Sequence, residues 1–282
     1  MITIRTLTGP ELEFAAACTQ AEGWVSDDFP TLESFYAYNT QGCLLALSGP
    51  DLAGICFATS YGSSGFIGEL IVRPGRRGQG TGAALLDAGV RYLQSQGAIT
   101  VYLDGVVKAV PLYERYGFRK LCRSLRLSGE YGGSSHPDVR PMVAADLPAV
   151  FELDRRHFGA DRSFFLRRRM ERFPELAKVQ VRGARLAGYI LGRRGVDWVS
   201  AGPWVVDETN PEPFLLFDAL AREAAGKRIS AGVLASNEAA AAFYRSLGFA
   251  ERPDSPWRMA LGGEAILGAS PFCLAVGSAA KG

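Results

Sequence analysis

Val72-Arg73-Pro74-Gly75-Arg76-Arg77-Gly78-Gln79-Gly80-Thr81-Gly82 joins an apolar, β-branched run to an amphipathic one. Upstream, Phe66-Ile67-Gly68-Glu69-Leu70-Ile71-Val72 reads as a buried strand, and Pro74 ends its ladder. Downstream, Leu85, Leu86, Gly89, Val90 and Leu93 recur at helical spacing, so the loop feeds straight into a helix N-terminus, where unpaired amides attract anions. Gly78, Gly80 and Gly82 remove side chains that would hold a phosphate away from the backbone, and Arg76 and Arg77 add positive charge beside it. No Gly-Lys-Ser/Thr follows and the G-x-G-x-x-G spacing is absent, which sets aside the P-loop and the dinucleotide fingerprint. A basic surface turn is the competing reading.

A second segment narrows the choice. A strand over residues 98–103 leads to Val110-Pro111-Leu112-Tyr113-Glu114-Arg115-Tyr116-Gly117-Phe118, a short helix closed by a glycine and followed by an aromatic. In this order, Arg77-Gly78-Gln79-Gly80-Thr81-Gly82 and the Tyr113 segment resemble the Arg/Gln-x-x-Gly-x-Gly/Ala and Tyr-Glu-x-x-Gly-Phe motifs of the GNAT acetyltransferase superfamily.

The Tyr113 segment has an echo. Phe243-Tyr244-Arg245-Ser246-Leu247-Gly248-Phe249 repeats its pattern in the second half of the chain, preceded by a strand over residues 229–234 and entered from Asn237. Both halves also open on a short strand followed by a helix, over residues 2–7 and 12–20 and again over 139–142 and 144–158. Residues 131–138, rich in glycine and serine, have linker composition. We therefore expect a domain over 1–130, a linker over 131–138 and a second domain over 139–282. The resemblance implies an α/β (α+β) fold class: two tandem GNAT folds, each a mixed, mostly antiparallel central sheet flanked by helices.

The second half lacks the glycine loop. Its strand over residues 198–206 runs into Asp207-Glu208-Thr209-Asn210-Pro211-Glu212-Pro213 before a helix over 214–225, and carboxylates there would satisfy the helix dipole and repel a pyrophosphate. Such a pair is similar to bacterial tandem GNAT proteins with a CoA-binding first domain and a degenerate second one. Glu22-Gly23-Trp24, Gly65-Phe66-Ile67-Gly68 and Leu103-Asp104-Gly105-Val106-Val107 share that likeness.

Composition sets bounds. A chain of 282 residues, 48% hydrophobic and 21% charged, can bury ample core in one large or two medium domains. A net charge of +2 gives no global case for nucleic acid or an anionic membrane, and no apolar run reaches spanning length. With no signal-peptide pattern at Met1, a cytoplasmic protein is the expectation. Five scattered cysteines without C-x-x-C spacing argue for buried thiols over a disulfide framework or zinc site, and no metal is expected. Two histidines, His136 and His157, give little material for a nucleophilic triad.

The resemblance implies direct attack of an amine on the thioester of acetyl-CoA in a ternary complex. Leu70, Ile71 and Val72 would face the acetyl and pantetheine groups, and Arg76, Arg77, Gly78, Gln79, Gly80, Thr81 and Gly82 the pyrophosphate. Tyr113 matches the superfamily's usual general acid, a phenol protonated at neutral pH, and is otherwise a core tyrosine. Glu69 and Asp104 are candidates to take the amine's proton, or are structural carboxylates. For the acceptor, Trp24 and Phe35 stand near Asp27 and Asp28, a combination suited to a cationic amine but also to an ordinary core stripe. Arg162, Arg167, Arg168, Arg169 and Arg172 form a basic helix with either a solvated face or a phosphate site. The expected activity is N-acetylation of a small-molecule primary amine, with the second domain capping the cleft. An acyl-CoA-binding sensor without turnover and a protein N-acetyltransferase are the alternatives, and a homodimer is left open.

Overall fold

A computed structural model describes residues 1–24, 27–263 and 265–282. The first half runs β1 (Ile2–Thr6), α1 (Leu12–Ala21), α2 (Phe29–Tyr38), β2 (Cys43–Ser48), β3 (Asp51–Ser60), β4 (Ser64–Val72), α3 (Thr81–Ser95), β5 (Thr100–Gly105), α4 (Val110–Tyr116) and β6 (Arg119–Gly129). The second repeats this order with β7 (Val139–Pro141), α5 (Leu147–Phe158), α6 (Ser163–Arg172), β8 (Lys178–Arg182), β9 (Arg185–Arg194), β10 (Trp198–Val206), α7 (Leu215–Ala224), β11 (Arg228–Leu234) and α8 (Glu238–Ser246), then β12 (Ala250–Glu251), β13 (Trp257–Leu261) and β14 (Cys273–Ala275).

In each half one parallel pair, β4 with β5 and β10 with β11, is embedded in otherwise antiparallel pairing. The helix after the glycine loop buries Leu85, Leu86, Val90 and Leu93 against β3 and β4, and its counterpart α7 buries Leu216, Phe217 and Leu220 around Trp204. Gly117 ends α4 in the left-handed conformation, as the sequence pattern requires.

The two sheets are not separate. β13, from the second half, inserts between β5 and β6, pairing antiparallel with both. β6 in turn pairs with β13 over its first half and with β11 over Ser124–Gly129, so the strand order runs β1-β2-β3-β4-β5-β13-β6-β11-β10-β9-β8-β7. The division at 131–138 thus separates chain segments, while each sheet is completed by the other segment. That linker is itself held down, with Tyr131 stacked on Phe217 and donating to Asp218 at 2.6 Å.

α6 is the hinge of the docking. Phe165 packs on Phe35 and Tyr38, Arg168 meets Glu33 at 3.6 Å and Arg172 meets Asp28 at 2.8 Å, while Arg162, just before α6, forms a two-pronged pair with Asp154 inside the second half. The expected basic helix divides: Arg167 is exposed, Arg168 and Arg172 pair with α2, and Arg162 and Arg169 are engaged within the second half.

Candidate active site

β4 and β5 run in register only from Ser64 opposite Thr100 to Ile67 opposite Leu103. Beyond that point β4 carries a bulge: Ile55 pairs with Ile71 and Phe57 with Gly68, leaving Glu69 and Leu70 opposite the single residue Cys56. Glu69 takes a left-handed φ of 48°, uncommon outside glycine and a form of strain that collects at functional sites. A cavity of about 1120 Å³ opens at this split, large enough for a cofactor-sized ligand together with a small acceptor.

The glycine loop forms one rim. Leu70, Ile71, Val72, Arg77, Gly78, Gly80 and Gly82 line the cavity. Gly80 precedes α3 at a φ of 84°, and a Cβ at Gly78 or Gly80 would meet open space, so the backbone is accessible at both. The first bond of the helix is Ala84 N–H to Gly80 O at 3.0 Å, which leaves the amides of Thr81 to Ala83 without helical acceptors. Arg77 pairs with Glu22, which also receives Lys108 at 3.0 Å. Three expected loop contacts do not line the cavity: Arg76 turns away to Asp51, Gln79 folds back to Gly75 O, and Thr81 is buried at the helix start. The residues present fit a pyrophosphate through backbone amides and one arginine, not two.

The two candidate carboxylates differ sharply. Asp104 has a side chain with no exposure; its Oδ1 accepts from Arg258 Nε at 2.6 Å and its Oδ2 from Arg126 and Ser124. Burial favours its neutral form, yet Arg258 and Arg126 together outweigh this and hold the carboxyl below the usual range. Both oxygens are engaged in fastening the exchanged strand β13 and β6, so the geometry speaks for a structural carboxylate here. Glu69 is 3% exposed and neither oxygen has a hydrogen-bond partner among the described residues. Burial, then the nearby charge of Asp27, push its carboxyl well above the ordinary range, only partly opposed by Lys281 and Arg193.

Tyr113 sits at the other wall. α4 places its ring against Gly105 at the end of β5, burial raises the phenol's pKa, and the side chain lines the cavity. Such a phenol is a donor and not a phenolate at neutral pH.

On the acceptor side Trp24 and Asp27 line the cavity. Phe35 does not: it is 3% exposed, packed edge-on to Phe57 at 5.5 Å within the core. Asp28 is the N-cap of α2, accepting from Thr31 N–H at 3.1 Å. Residues from the distant half line the cavity as well. Arg193 of β9 lines the cavity, as do residues 276–280, which pass so close to β4 that a Cβ on Gly68 would lie 2.4 Å from Ala280 O. A glycine inside a strand signals close approach of another backbone, and Gly68 was the one hint of this in the sequence.

The corresponding opening of the second half is closed. β14 pairs antiparallel with Trp204 and Val205 of β10, and Val276 bridges to Gly232 of β11, so the chain's own strand fills the split. Asp207 accepts from Thr209 backbone and hydroxyl, a turn closed on itself. Among the described residues no group of three or more His, Cys, Asp or Glu could hold a metal, four cysteines are buried with Cys122 half-buried, and no helix is long and apolar enough to cross a membrane.

Two bulged, split sheets, one with an open glycine loop, define the tandem GNAT class. An acetyltransferase (GNAT) family model matches residues 10–118 and an acetyltransferase (GNAT) domain model matches residues 150–270; the chain belongs to the GNAT acetyltransferase superfamily. It is 38% identical over 87 residues to mycothiol acetyltransferase of Streptomyces scabiei, covering 29% of this chain and 28% of that protein. Over 63 residues it is 40% identical to glucosamine 6-phosphate N-acetyltransferase of Trypanosoma brucei brucei, covering 22% of this chain and 43% of that protein. The matched segments thus span less than half the length of these relatives. Among solved structures, a provisionally named acetyltransferase of Pyrococcus horikoshii shares the fold with a TM-score of 0.81 at 20% identity, covering 100% of this chain and 96% of that one. A tandem GNAT protein from the clavulanic acid biosynthesis pathway does so with a TM-score of 0.65 at 13% identity, covering 94% and 100%.

Proposed function

We propose that the protein is an N-acetyltransferase that passes the acetyl group of acetyl-CoA to a primary amine of a small molecule, in the cleft of the first domain. The observation that carries this reading is Glu69: a buried carboxyl without a hydrogen-bond partner among the described residues, in a strained bulge on the same cavity as the open glycine loop and Tyr113. Structural carboxylates are bonded, as Asp104 is; one left unbonded suits a group that waits for a proton.

Acetyl-CoA supplies the activated acyl thioester. The amides at the start of α3 and Arg77 would hold its pyrophosphate, and the bulged backbone of Leu70 to Val72 its acyl end. Glu69 takes the proton that the acceptor nitrogen must lose as the N–C bond forms. Tyr113 gives its proton to the sulfur as the C–S bond breaks, and solvent restores both groups. Asp104 holds β13 in place and takes no proton. The second domain narrows the cleft through Arg193 and residues 276–280, which supports a small acceptor over an intact protein tail; the names of both curated relatives denote small-molecule acetyltransferases.

Free-thiol release from acetyl-CoA across a panel of small amines and peptides tests this. Release that depends on a small amine is the expected result, and CoA binding without any acceptor-dependent release would overturn the assignment in favour of a sensor. Tyr113→Phe should lower kcat at least about tenfold at unchanged acetyl-CoA affinity.

A further inference from the structure

A second cavity, about 30 Å³, lies between the domains and shares Arg193 with the large one. Its walls come from α2, α6, β9 and the segment after β14, and they carry five cations: Arg168, Arg169, Arg172, Arg193 and Lys281. Two of these are spoken for, Arg168 by Glu33 and Arg172 by Asp28. Among the described residues, Arg169 donates to the backbone oxygens of Gly202 and Gly277 and Arg193 to the Thr31 hydroxyl at 3.2 Å, with no carboxylate hydrogen-bonded to either. Lys281 is 7% exposed, with its ammonium 4.2 Å from the centre of the Phe35 ring and 4.8 Å from that of Phe165. None of its N–H donors has an acceptor among the described residues.

The charges facing this point do not balance. Asp27 and Glu69 act on the cluster from the acceptor side, but Glu69 is held toward its neutral form. Arg169, Arg193 and Lys281 thus stand together with burial working against the charge of each, and crowded buried charge is costly. The strain is visible at Lys281, whose amine is pushed down to about 7 by burial and then by Arg169 and Arg193, with Asp27 and Glu69 only partly opposing. Two aromatic rings steady an ammonium but accept no strong hydrogen bond. The cavity has room for one small group and no more.

We propose that this interdomain cavity binds a single small oxyanion, phosphate or carboxylate in size, held by Lys281, Arg193 and Arg169. The group is either a free anion or the anionic end of an acceptor whose amine reaches Glu69 past Arg193. Because the site lies away from the glycine loop, it is separable from recognition of the CoA pyrophosphate.

The test is titration of inorganic phosphate into the full chain carrying Gly80→Asp, which removes the loop as a competing phosphate site, at constant ionic strength set with sodium chloride. Expected are saturable binding of one phosphate per chain by calorimetry and a melting temperature that rises with phosphate. Adding Lys281→Met, which keeps an apolar stem over the rings, should weaken binding at least tenfold. It should leave the phosphate-free melting temperature no lower than that of its parent. Phosphate binding unaffected by Lys281→Met, or a melting shift that sodium chloride reproduces, would overturn the proposal. A Lys281→Met variant that melts lower, with no phosphate shift in its parent, would show a purely structural cluster. With the otherwise unaltered enzyme, phosphate that raises the KM of the amine marks the group as the acceptor's; phosphate that leaves that KM unchanged marks a free anion.

Discussion

Glu69 and Asp104 stand on neighbouring strands of one cleft, and their surroundings divide the work between them. Asp104 is bonded by two guanidinium groups, so its removal leaves Arg258, itself without any exposed side-chain surface, as an uncompensated buried charge. Asp104→Ala should therefore destabilise the fold by about 3–5 kcal/mol, read by urea denaturation. Glu69 has nothing to lose of this kind. Glu69→Gln should lower kcat by about 10²–10⁴ and leave acetyl-CoA affinity unchanged. A base must be deprotonated to work, so the wild-type kcat/KM should climb with pH through the raised Glu69 pKa, and the variant should lack that limb. Stability runs the other way. The native state holds this proton to higher pH than the unfolded chain, so stability falls as pH rises from the ordinary carboxylate range through the raised value, and Glu69→Gln should melt no lower than wild type at neutral pH.

At the scale of elements, β4, its loop and α3 form one unit whose backbone would do the binding in the proposed reaction. Gly80→Asp places a Cβ at a φ of 84° and a carboxylate among amides that await an anion, so loss of acetyl-CoA binding by calorimetry is expected, with a stability cost of roughly 1 kcal/mol. The matching unit β10, turn and α7 is closed by β14 and by the self-satisfied Asp207 turn. One CoA per chain is therefore the expected stoichiometry, and two would show that β14 leaves the split. The carboxylates of this turn were legible in the sequence as a reason for lost binding; the strand that fills the opening was not, because Cys273-Leu274-Ala275 is too short a run to announce a pairing partner.

Over the whole molecule, β13 lies between β5 and β6 and interleaves the two halves in a single sheet, so we expect them to fold as one unit. Residues 1–130 expressed alone would lack that strand and expose the edges of β5 and β6, so no cooperative melting transition is expected, and co-expression with 131–282 should restore one. The sequence by itself determined what depends on neighbours along the chain: the strand-loop-helix around Gly78 to Gly82, the glycine-stopped helix bearing Tyr113, the duplication, and the placing of Glu69 just before the loop. Periodicity, turn chemistry and glycine conformation act over a few residues, and all of these lie within that reach. Only the tertiary structure decided that Asp104 faces Arg258, that Phe35 belongs to the core, that Arg193 and Ala280 arrive at the cleft beside β4, and that Lys281 lines the small cavity next to it. Those outcomes join segments far apart in the chain, and each turns on which strand finds which edge, a choice fixed by burial and charge pairing in three dimensions that local patterns do not carry.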